Sequence, residues 1–97
     1  MKFLVKIEVR IPRDLSPAAR AELLEAERVR GNELKALGLI VDIWRLPGRL
    51  ANVGIWSARD ATELHEALVS LPVADYAEID VTALAQHYLT KESEGDI

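Results

Sequence analysis

The chain has 97 residues, 49% of them apolar, a formal charge of -4 and no cysteine. That suits one small globular domain and excludes disulfides, a thiolate nucleophile and a thiolate metal site, while two histidines far apart offer no metal-ligand spacing. An acidic chain without a basic stripe argues against a nucleic-acid surface, and with no apolar run near the roughly 20 residues that cross a bilayer and no leader-like start, the expected setting is cytoplasmic.

Over residues 2–11, Phe3, Val5, Ile7, Val9 and Ile11 alternate with Lys2, Lys6, Glu8 and Arg10, the period of a half-buried strand. Pro12 ends it, and Ser16-Pro17 supplies an N-cap followed by proline at the first helical position, so a long helix is expected over 17–37. Gly38 stands where a C-terminal glycine stop belongs, and extended chain resumes over 39–46. Pro47-Gly48 makes a turn into a third strand over 50–57. Asp60 and Glu63 have the spacing of a capping box, opening a second helix that runs to about residue 70 and is closed by Pro72. Residues 76–81 alternate again as a fourth strand, 83–88 form a short closing segment, and 89–97 read as a disordered acidic tail beyond a single domain at 1–88.

The order βαββαβ is the ferredoxin-like plan, an α+β fold in which two helices cover one face of a four-stranded antiparallel sheet. The odd positions of the first strand should meet the helices, which leaves Lys6, Glu8 and Arg10 on the open face. At 97 residues a single core is marginal, so self-association is expected, and a second copy over the open face would turn its charges into pocket lining.

Some polar residues invite a chemical reading. Leu23, Glu27, Arg30, Leu34 and Leu37 share one stripe of the first helix, so Glu27 interrupts the face due for burial. Desolvation there would raise its pKa and suit it to moving a carbon-bound proton; the competing reading is an i,i+3 ion pair with Arg30, which has the edge on pattern alone. Arg45, between Trp44 and Leu46, could clamp a carboxylate through two parallel hydrogen bonds or simply pair with a nearby acid, and Lys6 and Arg10 are alternatives for the same anion. Trp44 and Trp56 could wall a pocket or pack in a core or interface. His65, on the second helix, and His87, near the end of the ordered chain, carry no distinctive signal.

The run Ile43-Trp44-Arg45-Leu46-Pro47-Gly48-Arg49-Leu50-Ala51-Asn52 resembles the most recognisable stretch of the muconolactone delta-isomerase family. The resemblance continues collinearly through Ile11-Pro12-Arg13-Asp14, Glu25-Ala26-Glu27, Glu63-Leu64-His65 and Leu71-Pro72 to Ala85-Gln86-His87. It implies a cofactor-independent isomerase of aromatic catabolism, converting (+)-muconolactone to 3-oxoadipate enol-lactone and assembling as a homo-oligomer, in that family a ring-like decamer. It also places a Glu at Glu27, which reverses the ranking above. It matches Lys6 to a common family lysine and Asn52 to the family's asparagine, whose amide would donate to a lactone oxygen. The implied site is therefore Glu27 and Asn52 for catalysis, with Arg45, Lys6, Arg10 and Trp44 binding substrate and no metal.

The match departs in places. The family's usual Tyr-Ala-Asn-Tyr is Leu50-Ala51-Asn52-Val53, its histidine two places before the tryptophan is Asp42, and Asp75 adds a charge after Leu71-Pro72. These changes leave room for a related lactone or enol substrate. Two other classes stay open: a cofactor-independent oxygenase of the dimeric α+β barrel type, and a non-catalytic oligomeric module that binds a small acid.

Overall fold

The computed structural model describes residues 1–90. The elements run β1 (Lys2–Val9), α1 (Pro17–Ala36), β2 (Ile40–Arg45), β3 (Ala51–Ser57), α2 (Ala61–Val69) and β4 (Ala77–Leu84), the expected βαββαβ order. Short 3-10 turns lie at Ala74–Tyr76 and Tyr88–Thr90. The sheet is antiparallel in the order β2-β3-β1-β4.

The local signals form as their chemistry requires. Ser16 accepts the Ala19 N–H at 3.1 Å, and Pro17 takes the first helical position, where a missing N–H costs nothing. At the far end of α1, Gly38 turns to φ +83°, its N–H bonds the Lys35 carbonyl and the Leu39 N–H bonds the Leu34 carbonyl, a Schellman stop that frees the chain to enter β2. Leu37, expected in the buried stripe, caps the helix instead and is 70% exposed. Asp60 caps α2 by accepting the Glu63 N–H at 2.8 Å, while the Glu63 carboxylate reaches one residue further back than a capping box requires, to the Arg59 N–H and Nε.

β4 differs from expectation: it begins at Ala77, because Tyr76 completes a 3-10 turn, and it continues to Leu84 because it pairs with β1 from Val9↔Ala77 to Lys2↔Leu84. The ladder sustains this strand beyond the point where its alternation fades. The closing segment therefore starts after Leu84, and of the expected acidic tail, Leu89 and Thr90 belong to the last 3-10 turn while residues 91–97 lie outside the described residues.

Cross-strand partners share a face, so Phe3, Val5 and Ile7 of β1 and Trp56 of β3 point to the helices. They pack against Leu34 of α1 and Leu64 and Leu68 of α2 in one apolar core. The opposite face carries the row Trp44, Val53, Lys6 and Asp80, with Leu4 and Ile55 beside it, and among the described residues no α-helix covers it. No helix among the described residues is long and apolar enough to cross a membrane.

Candidate active site

Between α1 and the sheet, at the end away from Trp56, lies a cavity of about 350 Å³. Its floor is a single cross-strand row, Arg45 of β2, Asn52 of β3 and Ile7 of β1, all on the helix-facing side. Its roof is Leu24, Glu27 and Arg28 of α1, and Val9, Leu50 and Val73 complete the wall. The size is at the low end of the roughly 300–1,000 Å³ typical of small-molecule sites, and a mostly apolar lining with a few converging polar groups is their usual chemistry.

Glu27 is half-buried and accepts one hydrogen bond, from the Val73 N–H at 3.2 Å. Burial pushes its carboxyl above the ordinary 4.5, and the Val73 N–H only partly opposes that. Arg30 does not neutralise it: the Arg30 guanidinium lies 3.6 Å from Glu33 and donates to the Ser70 hydroxyl at 2.9 Å. Among the described residues Glu27 makes no ion pair. A carboxylate held this way is a proton acceptor whose basicity is raised by its surroundings.

Asn52 also lines the cavity, and among the described residues its buried Oδ1 has no hydrogen-bond partner, a lack it shares with the Trp56 Nε1 in the core. Leaving such an atom unpaired costs about 1–3 kcal/mol. Arg45, its cross-strand partner, is exposed and forms no ion pair among the described residues, which leaves its fork free for an anion. Among the described residues no group of three His, Cys, Asp or Glu side chains could hold a metal ion.

The other residues singled out in the sequence lie elsewhere. Lys6 and Trp44 are on the open face, Trp44 53% exposed, and Arg10 is 4.0 Å from Glu78 on that same side. Within one chain the sheet separates all three from Glu27. Trp56 is a core residue, 1% exposed. His65 is exposed on α2, and His87 stacks on Tyr88. Of the departures from the family pattern, Leu50 lines the cavity, whereas Asp42 and Val53 face the other way and Asp75 sits exposed in a 3-10 turn.

Sequence reasoning missed Arg28 and Val73. Arg28 was within reach, since it follows Leu24 by four residues and shares its side of α1. It lines the cavity while its guanidinium is gripped by Glu25 at 2.6 and 3.0 Å. Val73 contributes a backbone N–H, which no side-chain pattern announces. Two larger hollows exist, about 680 Å³ beside Lys2 and His87 and about 520 Å³ around Met1 and Leu37. Among the described residues the first is lined by no carboxylate but by His87, whose Nδ1 accepts the Leu89 N–H at 3.1 Å, and the Glu63 carboxylate in the second is paired with Arg59.

The muconolactone delta-isomerase family model matches residues 1–89. A muconolactone delta-isomerase from Rhodococcus opacus is 39% identical over 85 residues, covering 88% of this chain and 91% of that one. Muconolactone delta-isomerase 1 of Acinetobacter lwoffii is 36% identical over 87 residues, covering 90% and 91%. A crystal structure of muconolactone isomerase superposes with a TM-score of 0.87 at 31% identity, covering 94% of this chain and 95% of the other. A family match over nearly the whole chain, relatives above 30% identity and a shared fold agree: the chain belongs to the muconolactone delta-isomerase family.

Proposed function

We propose that this protein isomerises muconolactone to 3-oxoadipate enol-lactone in aromatic catabolism, with Glu27 as the proton carrier. The observation that carries the reading is a half-buried carboxylate that makes no ion pair among the described residues, in one cavity with Arg45 and Asn52. Glu27 removes the proton from the ring carbon that bears the side chain, and the electron pair spreads along the unsaturated lactone as a dienolate. The same carboxyl returns the proton two carbons along, so no proton is gained or lost and no cofactor is required. The Asn52 amide donates to the lactone oxygen where the charge collects, and Arg45 holds the substrate carboxylate.

The reading extends to assembly. The open face presents Leu4, Trp44, Val53 and Ile55 around Lys6, and a second copy of the chain covering it would bury apolar surface that one small domain leaves in water. In that arrangement Lys6 and Arg10 serve the contact, or reach the cavity of a neighbouring copy, and the oligomer works in the cytoplasm.

The test is incubation with muconolactone in deuterated water, followed by proton NMR, beside a Glu27→Gln variant. The native protein is expected to produce the enol-lactone, and the variant to be slower by roughly 10²–10⁴-fold, the usual contribution of a positioned base. No conversion by the native protein would remove muconolactone as substrate and turn attention to the Leu50 wall. Undiminished conversion by the variant would remove Glu27 as the base.

A further inference from the structure

Strand β2 is anchored at both ends. Ile40 is buried opposite Trp56, and the Leu46 N–H bonds the Ala51 carbonyl at 3.0 Å where the hairpin closes. Strict alternation from Ile40 would send Asp42 and Trp44 toward the helices and Arg45 to the open face. The observed ladder shifts by one residue between Ile40 and Asp42, so that Asp42 pairs with Ile55, Ile43 with Gly54 and Arg45 with Asn52. Val41 is the residue left over, a β-bulge that reverses the parity of everything after it. The Asp42 carboxylate accepts the Ile43 N–H at 3.1 Å, a local bond within the bulged segment.

The strand opposite has made room for this. A Cβ on Gly54 would overlap the Asp42 carbonyl oxygen and stand 3.2 Å from the Ile43 Cα, so the bulge and any side chain at this position compete for one space. Gly54 is buried and faces the helices between Trp56 and Asn52. Its φ is ordinary, so the demand is for closeness of backbones and not for an unusual dihedral.

We propose that the Val41 bulge and Gly54 form a positioning device that determines on which face of the sheet Arg45 emerges, and so places its guanidinium in the cavity with Asn52 and Glu27. The proposal rests on the reading of Arg45 as the carboxylate clamp. Its value to catalysis is binding geometry, because Glu27 sits on a different element and keeps its hydrogen bond from the Val73 N–H.

The test is Gly54→Ala, assayed with muconolactone and crystallised. Overlap with a backbone carbonyl cannot be relieved by a rotamer, so the ladder must surrender the bulge. KM is expected to rise about tenfold or more, the size of a lost charge-assisted contact, with the acid limb of the pH profile unmoved. Deleting Val41 in the Gly54→Ala background removes the surplus residue, restores a regular ladder with Arg45 opposite Asn52, and is expected to bring KM back. A folded Gly54→Ala protein with native KM and an intact bulge would overturn the proposal, as would a raised KM that the deletion fails to rescue. Should Gly54→Ala not fold, deletion of Val41 alone decides: a KM close to native supports the device, and a KM as poor as that of Arg45→Met in a folded protein refutes it. The crystal structure separates this proposal from the clamp reading, since residue 45 turned to the open face supports the device even if Arg45→Met leaves KM unchanged.

Discussion

Where β1 begins, Phe3, Val5 and Trp56 meet Leu34, Leu64 and Leu68 with almost no exposure left; where it ends, Ile7 and Asn52 face Glu27 across a hollow of about 350 Å³. The two ends of this interlayer share the elements β1, β3 and α1. Along β3 the helix-facing residues run Trp56, Gly54, Asn52, and back along α1 the inner stripe runs Leu34, Arg30, Glu27. Each series passes from apolar to polar toward the same end. Among the described residues Glu27 makes no ion pair and the buried Asn52 Oδ1 has no hydrogen-bond partner; the Trp56 Nε1 at the packed end shares that lack, and the apolar burial around it holds the layers together while these costs persist.

The comparison can be broken by mutating either end. Leu34 is fully buried, and Leu34→Ala is expected to cost about 2–5 kcal/mol in urea unfolding while the folded variant keeps its KM. Glu27→Gln should do the reverse, removing activity and sparing stability. If Leu34→Ala in its folded state were as inactive as Glu27→Gln, the two ends would not be separable and the cavity would depend on exact core packing.

At the cavity end the expected effects are smaller. Arg45→Met should raise KM by roughly 10–100-fold, as loss of a charge-assisted pair implies, and Arg45→Lys should fall between, because an ammonium lacks the planar fork. Lys6→Met is the informative control, because Lys6 lies on the other side of the sheet. An unchanged KM would confine the site to the space between one chain's helices and sheet. A rise comparable to that of Arg45→Met would show that the open face of a neighbouring copy closes the pocket.

Much of this was legible from residues. The alternation of β1, the Ser16-Pro17 start, the Gly38 stop and the turn at Gly48 are local signals satisfied by local hydrogen bonds and dihedrals, and they fix the βαββαβ order. The intrusion of Glu27 into an apolar stripe was also visible, because helical periodicity needs no tertiary information. The face of Arg45 was not: it depends on one surplus residue at Val41 and on a glycine in another strand, a pairwise fact between segments. The Val73 N–H is hidden for a similar reason, since it lies 46 residues from Glu27 in the chain. The alternation of β1 puts Lys6 on the open face, where it lies, but that the cavity opens between the layers follows from how α1 packs on the sheet, which strand alternation does not encode.

The finest distinction between the ends is electrostatic and shows in pH dependence. Burial raises the Glu27 carboxyl above its ordinary 4.5, so the folded protein holds this proton more tightly than the unfolded chain does. The stability contributed by the protonated form is therefore fully present below about 4.5 and is lost as pH rises through the higher folded value. Glutamine cannot ionise, and its carbonyl can still accept the Val73 N–H. Thermal melts of Glu27→Gln and the native protein are thus expected to differ in favour of the variant at pH 7 and to converge toward pH 4, with every other titrating group common to both. The same raised value should set the acid limb of kcat/KM, because the base must be ionised to accept a proton. A variant less stable than native at pH 7, with the gap closing as acid is added, would mean that ionised Glu27 has a stabilising partner, and the uncompensated carboxylate that distinguishes this end of the interlayer would be gone.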